Sequence, residues 1–237
     1  MVATRRHRQP ELMDQPGLDP RAHRQALDSL GRAHRISRTA AAIWPAIREV
    51  VPCSGRPLRI LDLACGGGHV VVDLARRCAS ESVAVEACGV DLSPVAIEHA
   101  RALAARAGVQ RVTFAPLDVA RQPLPGAFDV VLCSLFLHHL GDEEAETLLR
   151  RMRDAARHLV VVSDLRRTRL GYLFAWVGCR LLSRSRVFHA DGPRSVEAAF
   201  ATDEVRRLAE RAGLTGARIV TRWPQRFLLT WRRDDGR

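Results

Sequence analysis

A chain of 237 residues with 47% apolar content is long enough for one sizeable core and too apolar to read as disordered. All 37 basic side chains are arginine, and the formal charge of +11 reads for most of them as a solvated arginine-rich surface, with nucleic acid, an anionic membrane surface or acidic small molecules as the partner classes it allows. No apolar run is long enough to span a bilayer, and the basic first ten residues do not read as a secretory leader. The six cysteines form no C-x-x-C pair, so a reducing cytoplasm is expected and a metal site is not. Residues 1–17 read as a basic flexible tail, with Arg5-Arg6-His7-Arg8 followed by prolines at 10 and 16. Over 18–52, Leu27, Leu30, Ala33, Ile36, Ala40, Ile43 and Ile47 recur at helical spacing, punctuated by Pro45 and Pro52.

From Leu58 to Leu63 an apolar run predicts a buried strand, which breaks at Gly66-Gly67-Gly68 and resumes as a helix from Val70 to Cys78. A strand, a glycine turn and a helix N-terminus form a nucleotide site, where glycine permits positive φ and close approach of a ligand. The dinucleotide fingerprint fails, because Val71 stands where a third glycine is required. Asp62 would repel a pyrophosphate and suits a ligand that carries an ammonium group and no phosphate. A second strand, Val83 to Val90, ends in Asp91, 23 residues beyond Gly68, where an acid can accept two ribose hydroxyls. Leu92-Ser93-Pro94 then opens a helix that stops at Gly108, with Ser93 as N-cap and Pro94 at its first position. A third strand covers Arg111 to Ala115, and a fourth covers Phe128 to Ser134 after the loop of Asp118 and Val119.

These stretches resemble the motifs of the class I S-adenosylmethionine-dependent methyltransferases. Asp62-Leu63-Ala64-Cys65-Gly66-Gly67-Gly68 is similar to D-x-G/A-x-G-x-G, Gly89-Val90-Asp91-Leu92-Ser93-Pro94 to the second motif, and Phe128-Asp129-Val130-Val131 to F-D-x-V. The resemblance covers about Leu58 to Trp231. It implies an α/β, Rossmann-like, seven-stranded mostly parallel sheet with an antiparallel C-terminal strand, preceded by N-terminal helices. It also implies S-adenosyl-L-methionine as cofactor, bound by Asp62, Ala64, Gly66, Gly68, Asp91, Leu92, Asp118, Val119 and Ser134. Asp118 would accept from the adenine amino group, and the Val119 N–H would meet a ring nitrogen. The Asp/Asn-Pro-Pro-aromatic motif of base-methylating relatives is missing after the fourth strand, and Cys133 follows no proline. Nucleic acid is therefore not expected as a partner.

His138 and His139 follow the fourth strand, one of them a candidate base and either of them readable as a buried histidine satisfied by backbone. A charged helix over 142–156 precedes a fifth strand, 159–163, without the Pro-Gly-Gly turn of many relatives. The stretch 166–200 is expected as a helical lid inserted into a domain spanning 53–237. Its helix, Leu170 to Leu182, is apolar nearly all round and flanked by Arg166, Arg167, Arg169, Arg184 and Arg186. That pattern fits a lid over an apolar acceptor, a helix lying on a membrane surface, or a packing helix. His189 to Val196 reads as an active-site loop, with His189 and His139 as candidate bases and Asp191 as orienting partner. A helix over 202–212 and strands over 217–221 and 227–231 close the chain. The layout is similar to stand-alone enzymes that methylate phenolic polyketide products. The expected reaction is O-methylation of a small aromatic or lipid-like acceptor in secondary metabolism. C-methylation of a quinone-like ring, or cofactor binding without catalysis, are the alternatives.

Overall fold

The first helix, α1 (Pro20–Ile36), opens where Asp19 accepts the Ala22 N–H at 2.8 Å and Pro20 supplies a preset φ. It is followed by α2 (Thr39–Arg48), whose Ile43, Trp44 and Ile47 are buried on one side. In the computed structural model, residues 5–15, 17–126 and 128–233 are described.

The remaining order is β1 (Leu58–Leu63), α3 (His69–Ser80), β2 (Val85–Asp91), α4 (Pro94–Ala107), β3 (Val112–Pro116), β4 (Phe128–Ser134) and α5 (Asp142–Ala155). Then come β5 (Ala156–Leu165), α6 (Arg169–Leu182), α7 (Arg186–Ala198), α8 (Thr202–Arg211), β6 (Arg218–Arg222) and β7 (Arg226–Arg232). The seven strands run in the order β3-β2-β1-β4-β5-β7-β6, with β7 antiparallel to both its neighbours and the pairs among β1 to β5 parallel. This is the expected α/β sheet. Side chains alternate between its two faces as the period of two requires. Leu61, Val131 and Val160 sit in register and face α5 and α8, whereas Ile60, Val130 and Leu159 face α2, α3 and α4.

At the N-terminal edge of the central strands, Asp129 is fully buried. It accepts two bonds from the Arg56 guanidinium, both 2.8 Å, and one from the Arg59 N–H at 2.9 Å. These contacts hold its carboxyl below the usual range although burial acts the other way. Asp129→Ala removes three bonds to a charged acceptor and is expected to cost roughly 2–4 kcal/mol, read as a lower Tm with cofactor affinity unchanged. An unaltered Tm would show that the Arg56 clamp is idle.

Three expectations are corrected. Residues 5–15 are not a loose tail. The Arg6 guanidinium donates to the carbonyls of Ala198 (2.8 Å), Leu140 (2.9 Å) and His138 (3.2 Å), pairs with Asp142 and lies 3.4 Å over the Phe200 ring. Residues 1–4 and 16 of that expected tail lie outside the described residues. Second, β5 begins at Ala156, directly after α5, because Ala156 pairs with Phe128 across an irregular register. Third, 189–196 is not a loop but the body of α7, despite Gly192 and Pro193. A Cβ on Gly192 would fall 2.3 Å from the Cys179 sulfur, so this glycine lets α6 and α7 touch, and tertiary packing overrides the turn signal.

Candidate functional site

The order of strands reverses between β1 and β4, and ligands of such sheets lie beyond the carboxyl ends at that switch point. The turn after β1 is wound by left-handed residues, Ala64 (φ 50°), Gly66 (φ 52°) and Gly68 (φ 74°). Their roles differ. A Cβ on Gly68 would sit 2.8 Å from Ala100 Cβ and 2.9 Å from the Phe114 ring, so Gly68 serves packing against α4 and β3 and not clearance for a ligand. Beside Gly66 the nearest such neighbour is Leu27 Cδ2 of α1, at 3.8 Å, which leaves space next to the turn.

Asp91, at the end of β2, accepts the Gly66 N–H (2.8 Å) through one carboxylate oxygen and the Ser93 N–H (2.9 Å) through the other. Burial raises its pKa, and these two bonds act against that rise. Asp62 is fully buried, its Oδ1 has no hydrogen-bond partner among the described residues, and burial followed by the nearby Asp91 charge pushes its pKa well up. Ser134 Oγ, at the end of β4, is likewise buried and unpartnered. Such groups cost free energy unless something pairs with them. Leu92 is 68% exposed beside Asp91. Asp118 Oδ1 accepts the N–H groups of Ala120 (3.0 Å) and Arg121 (3.2 Å), while buried Val119 gives its carbonyl to Arg151 (2.7 Å).

A second group of polar side chains gathers just past β4. A single 3-10 turn, Leu137–His139, presents both histidines. His138 Nδ1 lies 2.7 Å from Asp164 Oδ1, and its Nε2 lies 3.4 Å from Glu11 Oε1. His139 Nδ1 lies 2.8 Å from Asp14 Oδ2, and its Nε2 lies 3.7 Å from Glu11 Oε2. Burial alone would lower the His138 pKa, but Asp164 and Glu11 overcome it and raise the value to about 10. Glu11, which burial would raise, is brought down to about 2 by His138, His139 and Ser195. The reading of a histidine satisfied by backbone is thus corrected for His138, whose ring is held by carboxylates. Asp14 links the two halves of the site: it bonds His139, and its charge reaches Asp91 and His23 of α1.

His189 and Asp191 are not brought together. His189 Nε2 meets the Ser183 carbonyl at 2.7 Å. The Asp191 carboxylate instead accepts the N–H groups of Leu12 (2.8 Å) and Met13 (3.0 Å), and burial raises its pKa to about 6. Asp191 therefore positions the Glu11 segment and does not orient His189. Glu11, Asp14 and Asp164 escaped the sequence reading, the first two because a basic tail was expected there. The one signal was acids in an otherwise basic stretch.

Residues 60–158 match the family model described as methyltransferase domain. Over those residues the chain carries a methyltransferase domain. The ubiquinone biosynthesis O-methyltransferase of Xylella fastidiosa is 33% identical over 147 residues, 58% of this chain and 53% of that protein. The chain thus spans about half the length of this curated relative. Among solved structures, the O-methyltransferase family 2 protein from Planctomyces limnophilus, in complex with apigenin, has a TM-score of 0.66 at 17% identity, covering 92% of this chain and 62% of its own. The magnesium protoporphyrin IX methyltransferase from Synechocystis with bound S-adenosylmethionine gives 0.54 at 18%, covering 94% and 88%. These two likenesses are of fold. The cofactor of the methyltransferase domain is S-adenosylmethionine, and the crevice suits it: an unpartnered buried carboxylate oxygen for an ammonium, an unpartnered hydroxyl, and a glycine, Gly66, where an added Cβ would meet only Leu27 among the described residues.

Proposed function

We propose that this methyltransferase acts on a phenolic hydroxyl of a small, apolar acceptor. The observation that carries the reading is the junction of the cofactor crevice with the His138–His139 cluster, at the end of β4 and bridged by Asp14. One half holds the methyl donor, and the other can take up a proton. Relatives named as O-methyltransferases support oxygen as the methylated atom. A phenolic polyketide-like compound and a ubiquinone-type precursor are the acceptor classes to try first. Carbon methylation of a quinone-like ring is the reading that product analysis separates. Incubating the chain with S-adenosylmethionine and a panel of phenols, resorcinols and quinones should yield methyl ethers of at least one phenol. Methylation restricted to ring carbon would overturn the proposal, and so would binding of cofactor without product from any member.

When bound, S-adenosylmethionine supplies an electrophilic sulfonium methyl, so the chain's own work is alignment, exclusion of water and removal of a proton. Asp91 would hold the ribose hydroxyls, Asp62 the ammonium group, and Asp118 with Val119 the adenine edge. Phenols titrate near ~10 and are protonated at neutral pH. Asp14 fixes one nitrogen of His139, and the other, 3.7 Å from Glu11 Oε2, would receive the hydroxyl proton, a contribution of roughly 10²–10⁴-fold.

The Asp62 assignment has a pH signature. Its folded pKa is raised, so its contribution to stability is present below the unfolded value and is lost as pH rises through the folded one. An ammonium partner favours the carboxylate, so binding should expel the proton that Asp62 otherwise retains. Calorimetry of cofactor binding in buffers of different ionisation enthalpy should show proton release that vanishes in Asp62→Asn. Buffer-independent heats would contradict the assignment.

The outer face of α6 favours a bilayer contact in addition. Leu170, Leu173, Phe174, Trp176, Val177 and Leu181 are exposed, Leu181 by 79%, beside exposed Arg169, Arg180, Arg184 and Arg186. Apolar exposure ringed by fixed positive charge complements an anionic lipid surface. Among the described residues, no helix is long and apolar enough to cross a membrane. Arg167 takes no part, since it is bound to Glu204 at 2.8 Å. Vesicles with anionic lipid should bind the protein at low salt, and replacing Arg169, Arg180 and Arg184 by glutamine should abolish binding. Equal partition onto neutral vesicles would remove the bilayer as the partner.

A further inference from the structure

The cluster past β4 has a geometry that proton transfer alone does not require. Glu11, His138 and His139 can each offer one ligand atom, and those three atoms lie within 4.8 Å of one another. The Glu11 carboxylate faces each imidazole through a different oxygen, Oε1 at 3.4 Å from His138 Nε2 and Oε2 at 3.7 Å from His139 Nε2, close to the ~3.3–3.6 Å between ligands of a tetrahedral ion with bonds of ~2.0–2.2 Å. Both histidines offer Nε2, and both have Nδ1 against a carboxylate: Asp164 for His138 and Asp14 for His139, at 2.7 and 2.8 Å. That outer carboxylate fixes the tautomer and ring orientation of a metal-bound histidine and raises its basicity. The Glu11 carboxylate is itself oriented by the Ser195 hydroxyl. Three carboxylates thus converge on two imidazoles, which leaves a surplus of negative charge in a largely buried place. Arg6 is engaged by Asp142 and by backbone carbonyls, and the buried Arg226 is the cation whose charge reaches Asp164.

We propose that Glu11, His138 and His139 form a binding site for a divalent transition-type cation, with Asp164 and Asp14 orienting the two imidazoles. A mixed imidazole and carboxylate set suits zinc or cobalt better than magnesium or calcium, which prefer oxygen alone. Three protein ligands leave a fourth position open, and His139 is the partly exposed imidazole of the set. Because Glu11 comes from the N-terminal segment and the histidines from the end of β4, the ion would also fasten that segment across the site. The inference does not depend on the methyl-transfer reading. It would change one detail of it: in the loaded protein His139 would serve as a ligand, and the ion would supply in its place the polarisation of the acceptor hydroxyl.

The test is made on the untagged full chain, stripped with chelator, without cofactor or acceptor. Titration with Co²⁺, followed by visible absorption, and with Zn²⁺, followed by calorimetry, should each saturate at one equivalent with a tetrahedral cobalt spectrum. Glu11→Gln and His139→Ala should abolish that equivalent, and Asp14→Ala should weaken it by roughly 10–100-fold. His7→Ala, remote from the cluster, should leave it unchanged. Glu11→Gln is nearly isosteric, and a circular dichroism spectrum like that of the wild type keeps its result interpretable should His139→Ala misfold. Absence of saturable binding, or wild-type binding by Glu11→Gln, overturns the proposal and leaves an ion-pair cluster that holds protons. Methyl transfer that persists after either of those results would separate this failure from failure of the proposed function.

Discussion

Asp91→Ala is expected to weaken S-adenosylmethionine binding by about 2–4 kcal/mol, a loss of roughly 30- to 1000-fold, because two hydroxyl bonds to a charged acceptor disappear. The same substitution also removes the acceptor for the Gly66 and Ser93 N–H groups, so the glycine turn loses its brace. Asp91→Asn separates these effects. The amide keeps an acceptor oxygen for one N–H and most of the shape, yet it carries no charge for the ribose, so affinity should fall with little change in Tm. Wild-type affinity in Asp91→Ala, measured by calorimetry, would remove Asp91 from the cofactor site.

His139→Ala carries the second large effect. Loss of the group that receives the hydroxyl proton should lower kcat on an accepted phenol by roughly 10²–10⁴-fold at neutral pH. Much of that loss should return as pH approaches the phenol's own ~10, where the acceptor ionises unaided. Cofactor affinity should stay as it was. His189→Ala is the internal contrast, because the His189 ring is tied to the Ser183 carbonyl and Asp191 is spent on the Leu12 and Met13 N–H groups. A His139→Ala enzyme with the wild-type rate and pH profile would leave alignment as the only source of rate.

The strand, glycine turn and helix cap that carry Asp62, Gly66, Asp91 and Ser93 were legible because each depends on neighbours in sequence; the contacts of these residues with a cofactor belong to the proposed function. The histidine cluster was legible only in part: His138 and His139 stand together after the fourth strand, but Glu11 and Asp14, and Asp164, arrive from distant stretches. No spacing rule links residue 11 to residue 138. What brings them together is the anchoring of Arg6 on Phe200 and on the carbonyls of His138, Leu140 and Ala198, a tertiary event in a stretch whose composition resembles a tail. Gly192-Pro193 misled in the opposite sense. Both residues commonly interrupt helices, but here the glycine admits the Cys179 sulfur and the buried faces of Val187, Phe188 and Val196 hold the helix together.

The central claim is that one crevice aligns the cofactor's methyl with an oxygen of the acceptor. The most direct measurement is the carbon NMR spectrum of the product formed with S-adenosylmethionine carrying a ¹³C-labelled methyl and a phenol the enzyme accepts. A single enriched signal in the methoxy region, dependent on both Asp91 and His139, is the predicted result. An enriched methyl bound to ring carbon, or a label that reaches no acceptor while the cofactor binds normally, would contradict it.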